Sequence, residues 1–201
     1  MNIGSSNHLH AGKEFCELSS FAIILFGHSR PLNLRRVLRS LELQGALPVT
    51  HVWIDGDQGN PSGQAAIRAC REVVECFDVS SRFYHRGHLG FRKLLLTALN
   101  FYCDKYEHIA VLEDDCFPTR EFIKDIGATL NYIKHYPKYF SCYGSHFGIG
   151  EADRNCSRFQ GWGWATTSIK LRPLLDELIY LYSIPEFKYL EIASELLQDE
   201  K

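Results

Sequence analysis

Three consecutive carboxylates, Glu113, Asp114 and Asp115, end an apolar run and are soon followed by Pro118. Like charges on neighbouring residues repel one another, so such a group is costly unless a cation lies beside it. Carboxylate oxygens at the mouth of a site favour Mg²⁺ or Mn²⁺, whose other ligands are often phosphate oxygens and water. The cluster therefore predicts a divalent-cation site for a nucleoside diphosphate. The alternative is an acidic loop that caps the following helix.

Basic side chains occur after other apolar runs. Arg30 precedes a proline at one predicted helix start, and Arg86, Arg92 and Lys93 surround another. Guanidinium and ammonium groups, together with the free N–H groups of a helix start, can neutralise a diphosphate. A lone surface arginine and an ordinary basic helix start are the alternatives, and the sequence leaves them open.

Asp55 and several histidines complete the set of candidate residues. The carboxylate of Asp55 ends an apolar run, where it can accept a hydrogen bond from a ring N–H of a nucleobase; the alternative is an Asx turn. His28, His85 and His88 could bind zinc together with Cys116. Their spacing is not that of a tight ligand motif, which favours ordinary loop histidines.

Hydrophobic periodicity predicts the strands and helices that hold these residues. Apolar runs predict strands at 21–26, 49–54, 78–84, 108–112 and 139–143, with helical stripes between them. This alternation favours a single α/β domain with a largely parallel sheet and right-handed crossovers. The carboxyl ends of parallel strands lie on one edge of a sheet, where ligands bind. The polar clusters that follow the first four strands should therefore converge.

The remaining segments and the composition predict the domain organisation, the absence of a nucleic-acid partner and the cellular location. Residues 1–18 lack a helical or strand period and predict a flexible tail, which leaves 19–201 as one domain; two short helical patterns follow residues 161–170. The 22 basic and 24 acidic residues give a net charge of -2, so we expect no nucleic-acid partner. Because the sequence lacks a bilayer-length apolar stretch and the apolar core of a signal peptide, we expect a cytoplasmic protein without a transmembrane segment.

Five segments in chain order resemble GT-A nucleotide-sugar glycosyltransferases. They are FGHSRPLNLRRVLRSL (26–41), WIDGD (53–57), HLGFRKLLLTALNF (88–101), VLEDDCFPTREF (111–122) and GWGWATT (161–167). The pattern is similar to that of bacterial glycosyltransferases with an E-D-D and a G-W-G-W-A-T segment and, in outline, to N-acetylglucosaminyltransferase I. The resemblance covers about residues 20–168. It implies a GT-A, Rossmann-like, mostly parallel sheet flanked by helices.

The resemblance also implies roles for residues at the donor. Asp115 matches the last carboxylate of a D-x-D-type motif, which binds Mn²⁺ or Mg²⁺ on the donor diphosphate. Glu113 and Asp114 would then lie near the ribose and sugar of the donor. Arg30 and Asp55 match residues at the uracil and diphosphate end.

Further matches concern the basic residues and the tryptophans. Arg92 or Lys93 matches a basic position that faces the donor. Trp162 and Trp164 match a motif that lines the acceptor side, and aromatic core packing is their alternative. The chain ends at Lys201, earlier than GT-A domains usually do, which predicts a truncated chain or an incomplete acceptor site.

The catalytic base is not assigned. An inverting enzyme of this kind needs a carboxylate beyond the G-W motif to deprotonate the acceptor hydroxyl. Asp176, Glu177, Glu186 and Glu191 lie in that part of the chain, and none of them matches the family pattern convincingly.

Three functions remain in view. The first is a metal-dependent glycosyltransferase that moves a sugar from a nucleoside diphosphate sugar to a glycan, lipid-linked or other hydroxyl acceptor. A UDP-sugar is the expected donor. The second is a sugar-nucleotide-binding protein without turnover. The third is a sugar-phosphate nucleotidyltransferase, for which the single glycine of FGHSRP (26–31) is a poor phosphate loop.

Overall fold

Strands and helices alternate along the chain, as predicted. The computed structural model describes residues 18–57, 59–144, 159, 161–185, 188 and 191–192. Of the predicted tail, only Leu18 is among them, and it begins a short 3-10 helix (Leu18–Ser20). The principal elements are β1 (Phe21–Gly27), α1 (Pro31–Leu43), β2 (Thr50–Ile54), α2 (Pro61–Glu75), β3 (Ser81–Tyr84), α3 (Phe91–Cys103), β4 (His108–Glu113), α4 (Phe122–Ile133), β5 (Ser141–Tyr143), β6 (Trp164–Thr167) and α5 (Ser168–Ser183).

The described strands form one six-stranded sheet in the order β3-β2-β1-β4-β6-β5. The first four strands in this order run parallel to one another. β6 is antiparallel both to β4 and to β5. The predicted single α/β domain with a mostly parallel sheet flanked by helices is therefore confirmed.

Helices cover both faces of the sheet. Leu25 of β1 belongs to the cluster that packs under α1, α2 and α4, whereas Ile24 belongs to the cluster under α3 and α5. Successive side chains of a strand point to opposite faces, so a strand covered on both sides must be apolar throughout. This explains the uninterrupted apolar run of β1, in which every residue is buried.

The segment Trp164–Thr167 is strand β6, which the sequence analysis did not predict. All four residues are buried because the strand inserts between β4 and β5. The first of the two predicted helical patterns is helix α5, which begins directly after the strand and contains Pro173 in its second turn. Lys188 and residues 191–192 of the second pattern are helical, and the rest of that pattern lies outside the described residues.

None of the helices in the described part of the chain combines the length and apolar composition that a bilayer crossing requires.

Buried His51 predicts an acid-sensitive fold. Burial, together with the positive charge of Lys105, lowers the pKa of His51 to about 4. The unfolded chain takes up this proton near pH 6.5, so the contribution of His51 to stability is complete above that pH and is lost as the pH falls toward 4. We expect the unfolding free energy to fall by about 2–3 kcal/mol more in the native chain than in His51→Gln between pH 7 and pH 4.5.

Urea unfolding at the two pH values measures this difference. The same substitution at the exposed His135 is the matched control. Equal losses of stability in the native chain and in His51→Gln would show that His51 does not carry the effect.

Candidate functional site

Four polar clusters converge at the carboxyl edge of the parallel strands. In the strand register, Gly27 lies beside Ile54, and Phe26 lies beside Glu113. The loops after β1, β2 and β3 and the turn after β4 therefore meet at one edge, as the parallel arrangement requires. A cavity of about 220 Å³ opens there. Of the predicted site residues, it is lined by Arg30, Asp55, Glu113 and Asp114.

Arg30 joins two of the three consecutive carboxylates. Its Nη2 forms an ion pair with Asp114, and its Nη1 lies 2.7 Å from Oδ2 of Asp115. Asp114 is only 1% exposed and also accepts a hydrogen bond from the backbone N–H of His28 at 3.4 Å. The side chain of Asp115 is 46% exposed. The guanidinium thus has one buried anchor and one partner that solvent and ligands can reach.

The carboxylate cluster keeps an excess of negative charge. Burial, reinforced by the charges of Asp115 and Asp114, raises the pKa of Glu113. Burial also raises the pKa of Asp114, and the bond from Arg30 only partly opposes this effect. Three carboxylates face one guanidinium within this part of the described chain, so a cation would relieve their repulsion.

The residues present fit a hard divalent cation. Asp115 offers an exposed carboxylate that does not itself line the 220 Å³ cavity but contacts Arg30, which does, and Glu113 lies half-buried in the cavity wall. Mg²⁺ and Mn²⁺ are commonly held by one or two carboxylates and completed by phosphate oxygens and water. The donor set at Asp115 is of this kind.

The carboxylate of Asp55 holds the loop between β3 and α3. It is 4% exposed and accepts backbone hydrogen bonds from Gly56 at 2.8 Å, Leu89 at 2.9 Å and Gly90 at 3.0 Å. Its Oδ2 also lies 2.9 Å from Nδ1 of His88. The Asx turn that was the alternative for Asp55 is formed by Asp57, whose Oδ1 accepts from the N–H of Gly59 at 2.6 Å. Asp55 thus positions a wall of the cavity, and its contact with a nucleobase stays a prediction.

Gly56 allows two loops of this edge to touch through their backbones. A Cβ on Gly56 would lie 2.3 Å from the carbonyl carbon and oxygen of Gly87. The next residue, Asp57, forms an isolated parallel bridge with Gly87. A backbone neighbour cannot move aside as a flexible side chain can, so any larger residue at position 56 must separate the loops.

We expect Gly56→Ala to lower the unfolding free energy by about 1–3 kcal/mol, because the added methyl group overpacks this contact. Urea unfolding at pH 7 measures the change. Gly87→Ala is the matched control, since a Cβ there meets nothing within 4 Å. If both variants were equally stable, the close approach would not constrain the edge.

Arg92 and Lys93 lie beside the 220 Å³ cavity rather than in it. Both are exposed in the first turn of α3 and line a second cavity of about 810 Å³ between α3 and the end of α5. The guanidinium of Arg92 stacks over the ring of Tyr182, at 5.5 Å from its centroid. Phe91 lines both cavities.

The two tryptophans of the G-W motif lie in different environments. Trp162 is 51% exposed, whereas Trp164 on β6 is 5% exposed and packs in the core layer under α3 and α5. Trp164 thus has the core packing that was its alternative. Solvent reaches Trp162, whose place on the acceptor side stays a prediction.

None of the described C-terminal carboxylates lines the cavity at this edge. Asp176 is exposed on α5 and pairs with Arg172 at 2.9 Å. Arg172 also pairs with Asp104, which follows the end of α3 at the amino edge of the sheet. Glu177 is exposed on the same helix, and Glu191 is exposed as well. Glu186 lies outside the described residues.

His28 and His88 are brought together with Asp55, which the sequence analysis did not predict. One side-chain ligand atom from each of the three residues lies within 4.8 Å of the others. The zinc group of three histidines and Cys116, which the sequence disfavoured, is not assembled among the described residues, and the ring of His85 stacks on Trp53. The signal that could have found the observed group is position, because each member follows the end of a parallel strand.

Comparisons with known proteins support the fold assignment. No protein-family model and no curated protein matches the sequence. Among solved structures, a cytidylyltransferase from Leptospira borgpetersenii is 14% identical with a TM-score of 0.50, over 83% of this chain and 65% of that one. A mannosyltransferase from Pyrobaculum calidifontis, solved with GDP-Man and Mn²⁺, is 16% identical with a TM-score of 0.55, over 79% of this chain and 46% of that one.

A putative nucleotide-diphospho-sugar transferase from Desulfovibrio desulfuricans is 12% identical with a TM-score of 0.46, over 76% of this chain and 65% of that one. This chain therefore spans less than two thirds of each of these structures. At such low identity the likeness establishes the fold alone. The chain shares a GT-A-like, Rossmann-like fold with the cytidylyltransferase and the mannosyltransferase.

Proposed function

We propose that this chain is a metal-dependent glycosyltransferase that takes its sugar from a nucleoside diphosphate sugar, with a UDP-sugar as the first candidate. The acceptor would be a hydroxyl of a glycan, a lipid-linked sugar or another small molecule. One observation carries the proposal. Arg30 bridges buried Asp114 and exposed Asp115 at a cavity on the carboxyl edge of a parallel sheet. This edge is where α/β sheets bind nucleotides.

The proposed roles follow from burial and charge. Asp114 holds Nη2 of Arg30 in place. Nη1, which is bonded to Asp115 in this structure, could donate to a phosphate oxygen instead. Asp115 would hold Mn²⁺ or Mg²⁺, which supplies positive charge to the leaving diphosphate. The first turn of α3 adds the positive end of a helix dipole at the same edge. Phe26, Phe91 and Leu94 form the apolar part of the cavity.

A sugar-phosphate nucleotidyltransferase is the second candidate, because the fold is shared with a cytidylyltransferase. Both reactions use carboxylates, a divalent cation and a nucleotide, so the arrangement around Arg30 suits either. The two differ in their products. A glycosyltransferase releases a nucleoside diphosphate, whereas a nucleotidyltransferase releases pyrophosphate.

Product analysis distinguishes these functions. The chain is incubated with Mn²⁺ and either UDP-sugars with a panel of hydroxyl acceptors, or CTP or UTP with sugar 1-phosphates. We expect metal-dependent release of UDP, with slow release to water when no acceptor is present. Pyrophosphate release would replace the proposal with the second candidate. Tight UDP-sugar binding without any release would favour the binding protein without turnover.

A further inference from the structure

We propose that His28, Asp55 and His88 form a binding site for a transition-metal ion, with Zn²⁺ as the first candidate. The site is separate from the cation proposed at Asp115 and does not depend on the proposed transferase activity. The carrying observation is the convergence of two imidazoles and one carboxylate, with one ligand atom of each within 4.8 Å of the others. The three residues come from three different loops, after β1, β2 and β3.

The carboxylate of this group is already oriented for a ligand. Backbone N–H groups of Gly56 and Leu89 donate to its Oδ1, and that of Gly90 donates to Oδ2. Oδ2 also faces Nδ1 of His88 at 2.9 Å. Metal-binding carboxylates are commonly fixed by such outer hydrogen bonds. A metal ion would replace the hydrogen between Oδ2 and His88 and leave the three backbone bonds intact.

His28 supplies the second imidazole and an unsatisfied nitrogen. Its ring centroid lies 5.8 Å from that of His88, with the ring planes tilted by 55°. Nδ1 of His28 is buried and has no hydrogen-bond partner among the described residues. Buried polar groups are normally paired, and each exception needs a physical reason. Coordination of a metal through this nitrogen would satisfy it.

The charge around the group favours a divalent cation. Among the described residues, the cavity is lined by three carboxylates, those of Asp55, Glu113 and Asp114, and by one basic side chain, that of Arg30. Neutral imidazole adds no positive charge when it binds a metal. The cavity of about 220 Å³ is larger than a hydrated ion needs.

The ligand types indicate which metal binds. Two imidazoles and a carboxylate suit Zn²⁺ and its neighbours Co²⁺ and Ni²⁺, whereas Mg²⁺ and Mn²⁺ prefer all-oxygen ligands such as those at Asp115. Zinc holds nitrogen and oxygen at about 2.0–2.2 Å, which places neighbouring ligand atoms roughly 3.3 Å apart. Oδ2 of Asp55 and Nδ1 of His88, at 2.9 Å, must therefore move slightly apart, whereas any ligand atoms of the group that lie farther apart than this spacing, within the 4.8 Å limit, must approach. Since three loops would be tied together, the bound metal should also stabilise the fold.

The test uses the full chain after chelator treatment, titrated with Zn²⁺ by calorimetry and with Co²⁺ by visible absorption. We expect one ion to bind the native chain and to raise its melting temperature. We expect His28→Ala and His88→Ala each to weaken Zn²⁺ binding at least about 100-fold. His135→Ala, at an exposed histidine, is the matched control, and Asp115→Asn should bind Zn²⁺ as the native chain does.

Four results would overturn the proposal. One is a native chain that takes up no Zn²⁺ at millimolar concentration. The second is unchanged affinity in both histidine variants, and the third is loss of Zn²⁺ binding in Asp115→Asn. The fourth is a thiolate charge-transfer band in the Co²⁺ spectrum, which would place the ion on cysteines. The Co²⁺ spectrum of the native chain decides the ligand type even where a histidine variant fails to fold.

Discussion

Asp115→Asn should abolish the gain in UDP affinity that Mn²⁺ provides to the native chain, a loss of at least about 100-fold at saturating metal. A carboxamide has nearly the shape of the carboxylate but lacks the charge that holds the cation, and a bound cation contributes several kcal/mol to a diphosphate. Isothermal titration with UDP, with and without Mn²⁺, measures the loss. Because Asp115 is half exposed, its removal should change the unfolding free energy by no more than about 1 kcal/mol.

Asp78→Asn is the matched control for this substitution. Asp78 is exposed just before β3, at the opposite edge of the sheet. It should keep both the affinity for UDP and the dependence on Mn²⁺. An Asp115→Asn chain that still binds UDP more tightly with Mn²⁺ would show that another group holds the cation.

Arg30→Ala should weaken UDP binding by about 10–100-fold and lower the unfolding free energy by about 2 kcal/mol at pH 7. The loss of affinity reflects the loss of charge-assisted hydrogen bonds to the diphosphate. The loss of stability reflects a buried Asp114 whose one remaining partner among the described residues is the backbone N–H of His28. UDP titration and urea unfolding measure the two effects separately.

A double-mutant cycle locates the stability effect. Asp114→Asn removes the buried charge, so Arg30→Ala should cost much less in that background. Arg39→Ala is the matched control, because Arg39 lies exposed on α1, the helix that follows Arg30, and pairs only with Glu42 among the described residues. Equal losses of stability for Arg30→Ala with and without Asp114 would contradict the anchoring role.

The sheet was predictable because its strands are buried on both faces. Such strands are apolar throughout, and the helices between them carry one apolar stripe, so both patterns are visible in the sequence. β6 was missed for a physical reason. A four-residue strand is too short for a periodic signal, and its burial comes from two neighbours that are distant in sequence.

The place of the candidate site was predictable, but its pairings were not. The edge rule for parallel sheets brings the loops after β1 to β4 together. It does not tell which side chains meet, because that depends on loop geometry. Arg30 and Asp115 are 85 residues apart, and nothing local to either one indicates the ion pair.

The hydrogen-bond partners of Asp55 could not be predicted from the sequence either. Its residue type and position suggested a ligand contact, whereas the structure commits its carboxylate to three backbone N–H groups. The two tryptophans of the G-W motif differ in burial: Trp164 is buried and Trp162 is exposed. The burial of Trp164 could not be predicted, because it results from strand β6, which the sequence did not indicate.

The central claim is that this edge of the sheet binds a nucleoside diphosphate through a divalent cation. Its most direct test is the titration of the native, metal-free chain with UDP by calorimetry, first without metal and then with Mn²⁺. The proposed arrangement of Arg30, Asp114 and Asp115 predicts weak binding without metal and at least about 100-fold tighter binding with it. Equal affinity under the two conditions, or no binding in either, would contradict it.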